Sequence, residues 1–491
     1  MPSWWDYLHF NRQYNNKRNL EEGLFQIASQ TCNILVKVNN TNNINLTRNN
    51  RSDEYGCAGP PKNKSSMQIC VPKFRKNSIT SGCNPGLSTV LESGSVGNAS
   101  SSDEELEQWE QIFMMRDENG NSYNDKLSLV ESIPEGHMYP PNVTHLPTKN
   151  VWLDLIDEAQ TRIEIASFYW TLRYNEEYPY NSSIEGEQVF QALYAAGSKR
   201  NIDLKIAQNW PSKNFPNVDT EYLVKKKAAQ VKELGIVAFN CSCLAEDLGK
   251  VFDVYWSLGT PDAVVPDSWP SELNTDINME HPVNISDAQH NYGAYITSSP
   301  PPLSPQGRTD DSNAIVSIIE SAEEFVYISV MEYEPMCTFT HKMSFWPKID
   351  DAIRKAALEN KVKVKLLISW WKHSAPSEDY FLRSLTDLSQ AYPRVDLQVK
   401  RFVVPSTPEQ DKIPFGRVNH NKYMVTDRTA YIGTSNWSGD YFISTAGVAF
   451  VFQDQTHDGS FQNLTRDIRK DLQEVFERDW NSPYAVPLRR L

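Results

Sequence analysis

A histidine, a lysine and an aspartate lie close together near the carboxyl end of the chain, as His420, Lys422 and Asp427. A neutral imidazole can attack phosphorus and form a phosphohistidine. A lysine ammonium can neutralise the charge that grows on the non-bridging phosphate oxygens, and a carboxylate can raise the pKa of a histidine and orient its ring. These residue types therefore predict phosphodiester chemistry, for which a second imidazole must protonate the leaving oxygen and later activate water.

The neighbouring letters place these groups on a strand and a turn. His420 and Lys422 are two residues apart, so on a strand both side chains point to the same side. Gly433, Ser435 and Asn436 follow a second short strand and form a small polar turn that could bring an amide donor to the same phosphate. This context favours a functional motif over a chance match.

Other residues are weaker candidates. His373 follows an earlier strand and could bind substrate, and an ordinary loop histidine is the alternative. Glu332 follows the strand that ends at Val330 and could lie near the cleft. The lysine run at residues 225–227 is most simply a solvated helix face. Three aromatic residues could stack on bases, although core packing is the favoured interpretation: Trp437, Tyr441 and Phe442.

Charge and hydropathy limit the classes of protein. The 491 residues carry a net charge of -14, so an anionic substrate needs a local basic pocket rather than a global basic field. No apolar run approaches the length of a membrane span, and the first residues lack the pattern of a signal peptide. We therefore expect no transmembrane segment.

Cysteines and glycosylation sequons bear on the compartment. The seven cysteines are scattered and predict neither a tight disulfide framework nor a metal site. The Asn-x-Ser/Thr sequons of the body suggest a glycoprotein, and chance in an Asn-rich and Ser-rich chain is the alternative. These sequons are at Asn142, Asn181, Asn240, Asn284 and Asn463.

The chain repeats itself from residue 128 onward. A helix followed by an alternating strand recurs at an offset of 163 residues, and Ile163 and Ile165 match Val326 and Ile328. In the next strand, offset by 160 residues, the matched residues are Ile202, Leu204 and Ile206, and Val362, Val364 and Leu366. A helix with the pattern Leu-x-x-Val-Phe closes each copy and predicts a face buried in the core.

This repetition predicts an α/β fold of two duplicated halves, each a mixed sheet flanked by helices. We place the first half at residues 128–300 and the second half at residues 301–491. Residues 1–127 are rich in Asn, Ser and Gly and poor in apolar side chains, so we expect them to be poorly ordered.

The first half is shorter than the second between its second matched strand and the strand before its last helix. Trp370 and Phe450 are separated by 80 residues, whereas their counterparts Trp210 and Phe239 are separated by 29. About 51 residues are thus missing where the second half carries its motif, and no histidine lies between Trp210 and Gly235. Loss of two core strands would leave exposed strand edges and could make the protein unstable.

These segments resemble the phospholipase D superfamily, whose members carry the motif His-x-Lys-x4-Asp, and within it the animal branch of endolysosomal 5′-3′ exonucleases. The likeness covers about residues 128–489. It is carried by the segments HNKYMVTD, GTSNWSGDYF, IASFYWTL, VKELG, NCSCLA and FERDWNSPYA. The first motif of the family is absent, and residues 229–231 mark the expected seam.

The resemblance implies an active site at the interface of two similar halves, each supplying one histidine, lysine and acidic residue, without metal or cofactor. It implies single-stranded nucleic acid as substrate, with a phospholipid headgroup as the alternative. It also implies the lumen of the endoplasmic reticulum or endolysosome, although no signal peptide or anchor is visible. Cys241 and Cys243 lack the partners found in the family, so we expect them to be thiols.

The single motif leaves several hypotheses open. One is a phosphodiesterase of the exonuclease type that is weak or inactive, because removing one member of a catalytic unit can cost as much as removing all of them. A homodimer, or pairing with a full-length relative, could supply a second histidine. The alternatives are a non-catalytic binding or regulatory protein and a phospholipid phosphodiesterase.

Overall fold

The computed structural model describes residues 127–140, 145–167, 172, 183–208, 233–238, 241–259, 263–287, 290–339, 342–412, 416–455 and 467–488. The region expected to be poorly ordered before residue 127 lies outside these ranges. So do the lysine run at residues 225–227 and the expected seam at residues 229–231.

Strands and helices alternate along most of the described chain. The strands are β1 Leu127–Ser132, β2 Leu146–Pro147, β3 Arg162–Ser167, β4 Asp203–Gln208, β5 Glu233–Ala238, β6 Val283–Asp287, β7 His290–Ser299, β8 Thr309–Asp310, β9 Phe325–Val330, β10 Tyr333–Glu334, β11 Met336–Cys337, β12 Ser344–Phe345, β13 Lys363–Ser369, β14 Leu397–Phe402, β15 Lys422–Thr426, β16 Thr429–Gly433, β17 Trp437–Ser438, β18 Gly447–Asp454 and β19 Ala485–Pro487. The α-helices are α1 Thr148–Glu158, α2 Ser183–Lys199, α3 Ser242–Leu258, α4 Asp311–Ser321, α5 Lys348–Leu358, α6 Glu378–Ala391, α7 Asp440–Ile443 and α8 Ile468–Asn481.

A ten-stranded mixed sheet forms the centre of the structure. Its order is β19-β14-β13-β9-β15-β16-β18-β7-β6, and β8 pairs with β7. Strands β14, β13 and β9 are parallel, and β15 and β16 form an antiparallel hairpin beside β9. Every residue of β9 is buried, as expected for a strand that is covered on both faces of the sheet.

The helices that cover this sheet follow the predicted apolar patterns. Helix α5 begins after Pro347 and buries Ile349, Ile353 and Ala356 on one face, which confirms the predicted helix. The repeated pattern Leu-x-x-Val-Phe contributes core residues from both copies. These are Val251 and Phe252 in α3, and Leu472, Val475 and Phe476 in α8.

The strand pairs of the two halves have the same register. In the first half β3 and β4 are parallel, with Ile163 opposite Leu204. In the second half β9 and β13 are parallel, with the counterparts Val326 and Val364 opposite each other. This agreement is consistent with a duplication, and the mixed sheets flanked by helices confirm the predicted α/β class.

The two strand pairs have different neighbours among the described residues. Strand β9 is hydrogen-bonded on one side to β13 and on the other to β15. Its counterpart β3 is hydrogen-bonded to β4 alone among the described residues. Strand β5 pairs antiparallel with β1, and in the second half β18 pairs antiparallel with β7. The pairing of these strands is therefore the same in both halves.

Two details differ from the sequence-based expectations. Strands β6 and β7 belong to the ten-stranded sheet, so this sheet begins in the chain before residue 301. Cys243 is disulfide-bonded to a partner outside the described residues, so the expectation of a thiol there was wrong. A local comparison of sequence segments could not show this pairing. Among the described helices, none has the length and apolar character needed to cross a membrane.

Candidate active site

The ends of five strands meet at one edge of the ten-stranded sheet. The parallel strands β9, β13 and β14 end there, and so does β16, because it is antiparallel to β15. Strand β15 begins at this edge with Lys422, which lies opposite Val330, the last residue of β9. His420, Lys422 and the polar turn at Gly433, Ser435 and Asn436 are thereby brought to the same edge.

His420 and Lys422 are both buried at the start of β15. The Lys422 ammonium donates a hydrogen bond from Nζ to the backbone oxygen of His420 at 2.8 Å. Ser369, at the end of β13, donates from Oγ to the backbone oxygen of Asn419 at 2.5 Å and fixes the segment that precedes the histidine. The Lys422 ammonium therefore lies against the backbone of the motif histidine, and the shared role of the two side chains stays a prediction.

The polar turn is packed tightly against the sheet. A Cβ atom at Gly433 would lie 2.5 Å from the hydroxyl oxygen of Tyr431, so any larger residue would displace that ring. The Tyr431 hydroxyl donates to the buried carboxylate of Asp311 at 2.9 Å. Gly433, at the start of the turn, therefore packs against a ring that Asp311 of α4 holds in place.

Three buried amide side chains belong to the motif segment and the polar turn. Asn419 and Asn421 flank His420 and are completely buried, yet neither side-chain amide has a hydrogen-bond partner among the described residues. Asn436 is also buried, and its Oδ1 has no such partner. Buried polar groups are normally satisfied, so the Asn436 amide, in the polar turn, is a candidate for contact with a bound ligand. Asn421 lies within the motif and Asn419 directly precedes it, and on a strand the neighbours of His420 point to the opposite side of the sheet.

Asp427 does not join the other two motif residues. It follows the far end of β15, five residues after Lys422, which corresponds to about 17 Å along a strand. Its carboxylate accepts hydrogen bonds from the backbone N–H groups of Glu323, Glu324 and Phe325 at 3.0–3.4 Å. The carboxylate thus fixes the start of β9, and the role expected for it, orienting the histidine, is not the one that its contacts show.

The other candidates are found in different surroundings. His373 lies in the connection between β13 and α6, with its ring edge-on to Trp371 at a centroid distance of 4.6 Å, and its role in substrate binding stays a prediction. Trp437, Tyr441 and Phe442 are buried in the core, which confirms the packing interpretation over base stacking.

A group of carboxylates lies beside the lysine. Asn436 donates from Nδ2 to Oε2 of Glu332 at 3.4 Å, and Lys422 attracts the same carboxylate. Glu378 is buried nearby and accepts a hydrogen bond from Arg401 at 2.6 Å. Within the described part of the chain, no group of three or more His, Cys, Asp or Glu side chains has the geometry of a metal site.

Comparison with known proteins agrees with this arrangement. A family model described as "PLD3/4, PLD-like domain" matches residues 216–407. The "5'-3' exonuclease PLD3" of Xenopus laevis is 43% identical over 408 residues, which cover 74% of this chain and 82% of the relative. The chain belongs to the PLD3/4 family of the phospholipase D superfamily.

Two further matches complete the comparison of this PLD3/4-family chain. The "5'-3' exonuclease PLD4" of Mus musculus is 38% identical over 435 residues, which cover 79% of this chain and 84% of the relative. The solved structure of phosphatidylserine synthase from Haemophilus influenzae matches with a TM-score of 0.43 and 11% identity. The match covers 69% of this chain and 85% of the synthase chain.

The pKa values of two carboxyl groups beside the site of this PLD3/4-family chain predict a dependence of stability on pH. Burial raises the pKa of Glu332 to about 7 and that of Glu378 to about 8, from an ordinary value of 4.5. The folded state therefore binds these protons more tightly than the unfolded chain does. The resulting stabilisation is complete below the ordinary pKa and is lost as the pH rises through 7 and 8. The urea midpoint should fall as the pH rises from about 6.5 to about 8.5.

Between about pH 6.5 and 8.5 the change in stability reports the carboxyl groups and not the histidines. Burial lowers the pKa of His145 and His373, so their contribution opposes that of the carboxyl groups only below about pH 6.5. The double substitution Glu332→Gln and Glu378→Gln should flatten the profile above that pH. A wild-type midpoint that rises between the two pH values would contradict the prediction.

Proposed function

We propose that this chain is a phosphodiesterase that removes nucleotides from the 5′ end of single-stranded nucleic acid, with His420 as nucleophile and with weak turnover. The observation that carries the proposal is the arrangement of His420, Lys422 and Asn436 at one sheet edge, where an imidazole, an ammonium and an amide can meet one phosphate. The names of the PLD3 and PLD4 relatives support the reaction direction and the substrate class.

Weak turnover is proposed because the chain carries one motif where the resemblance implies two. No histidine lies between Trp210 and Gly235, the segment in which the first motif is expected. A lone nucleophile can form the covalent intermediate, but proton transfer to the leaving oxygen and activation of water then need another group. Pairing with a second copy or a full-length relative is an alternative source of that group.

A lumenal, endolysosomal location is part of the proposal. Cys243 is disulfide-bonded, and disulfides persist mainly in oxidising compartments. Asn284, in a glycosylation sequon, is exposed on β6 and accessible to modification. The carboxyl groups with raised pKa, which favour the folded state at acid pH, are compatible with an acidic lumen.

Substrate class and polarity can be tested together. The chain is incubated at pH 5 to 7 with single-stranded DNA that carries a 5′-hydroxyl and a 3′ fluorophore, with the same DNA blocked at its 5′ end, and with phosphatidylcholine vesicles. The proposal predicts slow release of nucleotides from the unblocked DNA only. Headgroup release from vesicles would favour the phospholipid alternative. Ligand binding without any turnover would favour the non-catalytic alternative.

A further inference from the structure

Glu332 occupies a defined position relative to the motif histidine. In the antiparallel pair of β9 and β15, Val330 is opposite Lys422. Glu332 follows Val330 by two residues and His420 precedes Lys422 by two, so the same register carried past the last hydrogen-bonded pair brings Glu332 and His420 to opposite positions. Residues directly opposite on neighbouring antiparallel strands have Cβ atoms about 4.5–5.5 Å apart and point to the same side. The carboxyl group and the imidazole thus face the same region of the sheet edge.

The contacts of Glu332 hold its carboxyl group at the substrate-binding turn. Its Oε2 accepts a hydrogen bond from Asn436 Nδ2 at 3.4 Å. The backbone N–H of Trp437 donates to its backbone oxygen at 2.9 Å. The side chain is half-buried, so a bound substrate can reach it. The carboxyl group is therefore held at the polar turn, and the Lys422 ammonium attracts it.

We infer that Glu332 is the acid–base residue of this chain and makes the proton transfers for which the resemblance implies a second histidine. The inference rests on the proposed function. In the first step the imidazole of His420 forms a bond to phosphorus, the bond from phosphorus to the 5′ oxygen breaks, and Glu332 donates its proton to that leaving oxygen. In the second step the Glu332 carboxylate takes a proton from water. The water oxygen binds phosphorus, and the phosphorus–nitrogen bond breaks to restore the imidazole.

The charges around Glu332 suit a proton donor. Burial is the largest cause that raises its pKa, to about 7, and the carboxylates of Glu334 on β10 and Asp440 on α7 raise it further. Lys422 on β15 lowers it, and Glu378 on α6 adds a further carboxyl group that interacts with Glu332. The carboxyl group is therefore protonated in acid and able to donate, and it ionises near neutral pH, as a general acid–base group must.

The dependence on the leaving group tests the inference. The first substrate is single-stranded DNA with a 5′-hydroxyl, whose leaving alkoxide needs a proton. The second is thymidine 3′-(4-nitrophenyl phosphate), whose leaving group departs without one. Glu332→Gln should lower DNA turnover by about 100-fold or more, while the initial burst of nitrophenolate is unchanged. Circular dichroism and thermal melting check that the variant is folded.

Each other outcome overturns a distinct part of the account. Equal losses on both substrates would make Glu332 a structural residue and overturn the inference. A wild-type burst without any DNA turnover would show that His420 attacks but that Glu332 does not donate. Absence of the burst in the wild-type chain would overturn the proposed function itself.

A neighbouring carboxylate provides a matched control. Glu334→Gln removes a charge that raises the pKa of Glu332 but leaves Glu332 in place. The alkaline limb of the pH–rate profile on DNA should then shift to lower pH, because activity is lost as Glu332 ionises, and the activity at acid pH should persist. An unshifted alkaline limb would contradict the assignment of that limb to Glu332.

Discussion

His420→Ala is expected to abolish nucleotide release from single-stranded DNA, with a loss of about a thousandfold or more relative to the wild-type chain. The imidazole is the nucleophile in the proposed reaction, and the buried groups beside it cannot replace it. Lys422 is a cation and can stabilise charge but cannot attack phosphorus while protonated. The loss is measured as the rate of release of the first nucleotide at pH 5 to 7.

An exposed histidine serves as the control for this substitution. His281→Ala alters a residue on a surface turn and should leave the rate unchanged. The urea midpoint of each variant should lie within about 0.5 M of the wild-type midpoint. The first variant removes one imidazole, and the second removes an exposed side chain. Equal turnover by wild type and His420→Ala, with all proteins folded, would show that the motif does not carry the reaction.

Arg478→Ala is expected to lower the free energy of unfolding by about 3–5 kcal/mol. Its guanidinium on α8 donates to both carboxylate oxygens of Glu131 on β1, at 2.7 and 2.8 Å, and to Asp479 at 2.9 Å. All three side chains are buried, so removal of the arginine leaves two carboxylates without their counter-charge. Urea unfolding at neutral pH measures the change.

A surface ion pair gives the comparison for this prediction. Lys355 pairs with Glu320 at 2.8 Å, but both side chains are substantially exposed. Lys355→Ala should therefore change the free energy of unfolding by no more than about 1 kcal/mol. If Arg478→Ala cost no more than the surface variant, the buried network would not tie the first strand to the last helix.

The positions of His420 and Lys422 could be predicted because they depend on local structure. A spacing of two residues on a strand, an adjacent turn and strand ends that meet at one edge are all properties of short segments. The repeated pattern was visible for the same reason, since matched strands keep the same alternation of side chains, and the structure is consistent with a duplication. The local sequence was thus sufficient for the α/β class.

Contacts between distant segments could not be predicted in this way. The carboxylate of Asp427 binds backbone N–H groups that lie about a hundred residues earlier in the chain, so its spacing from His420 carried no information about its role. The inferred place of Glu332 near the histidine depends on the register of β9 and β15, which requires the assembled sheet.

The most direct test of the central claim is detection of the covalent intermediate. The chain is mixed with single-stranded DNA carrying a 5′-hydroxyl, quenched within a single turnover at alkaline pH, digested and examined by mass spectrometry. The account predicts one nucleoside 3′-phosphate attached to the peptide that contains His420, and no adduct in His420→Ala. Nucleotide release without this adduct, or an adduct on another residue, would contradict the account.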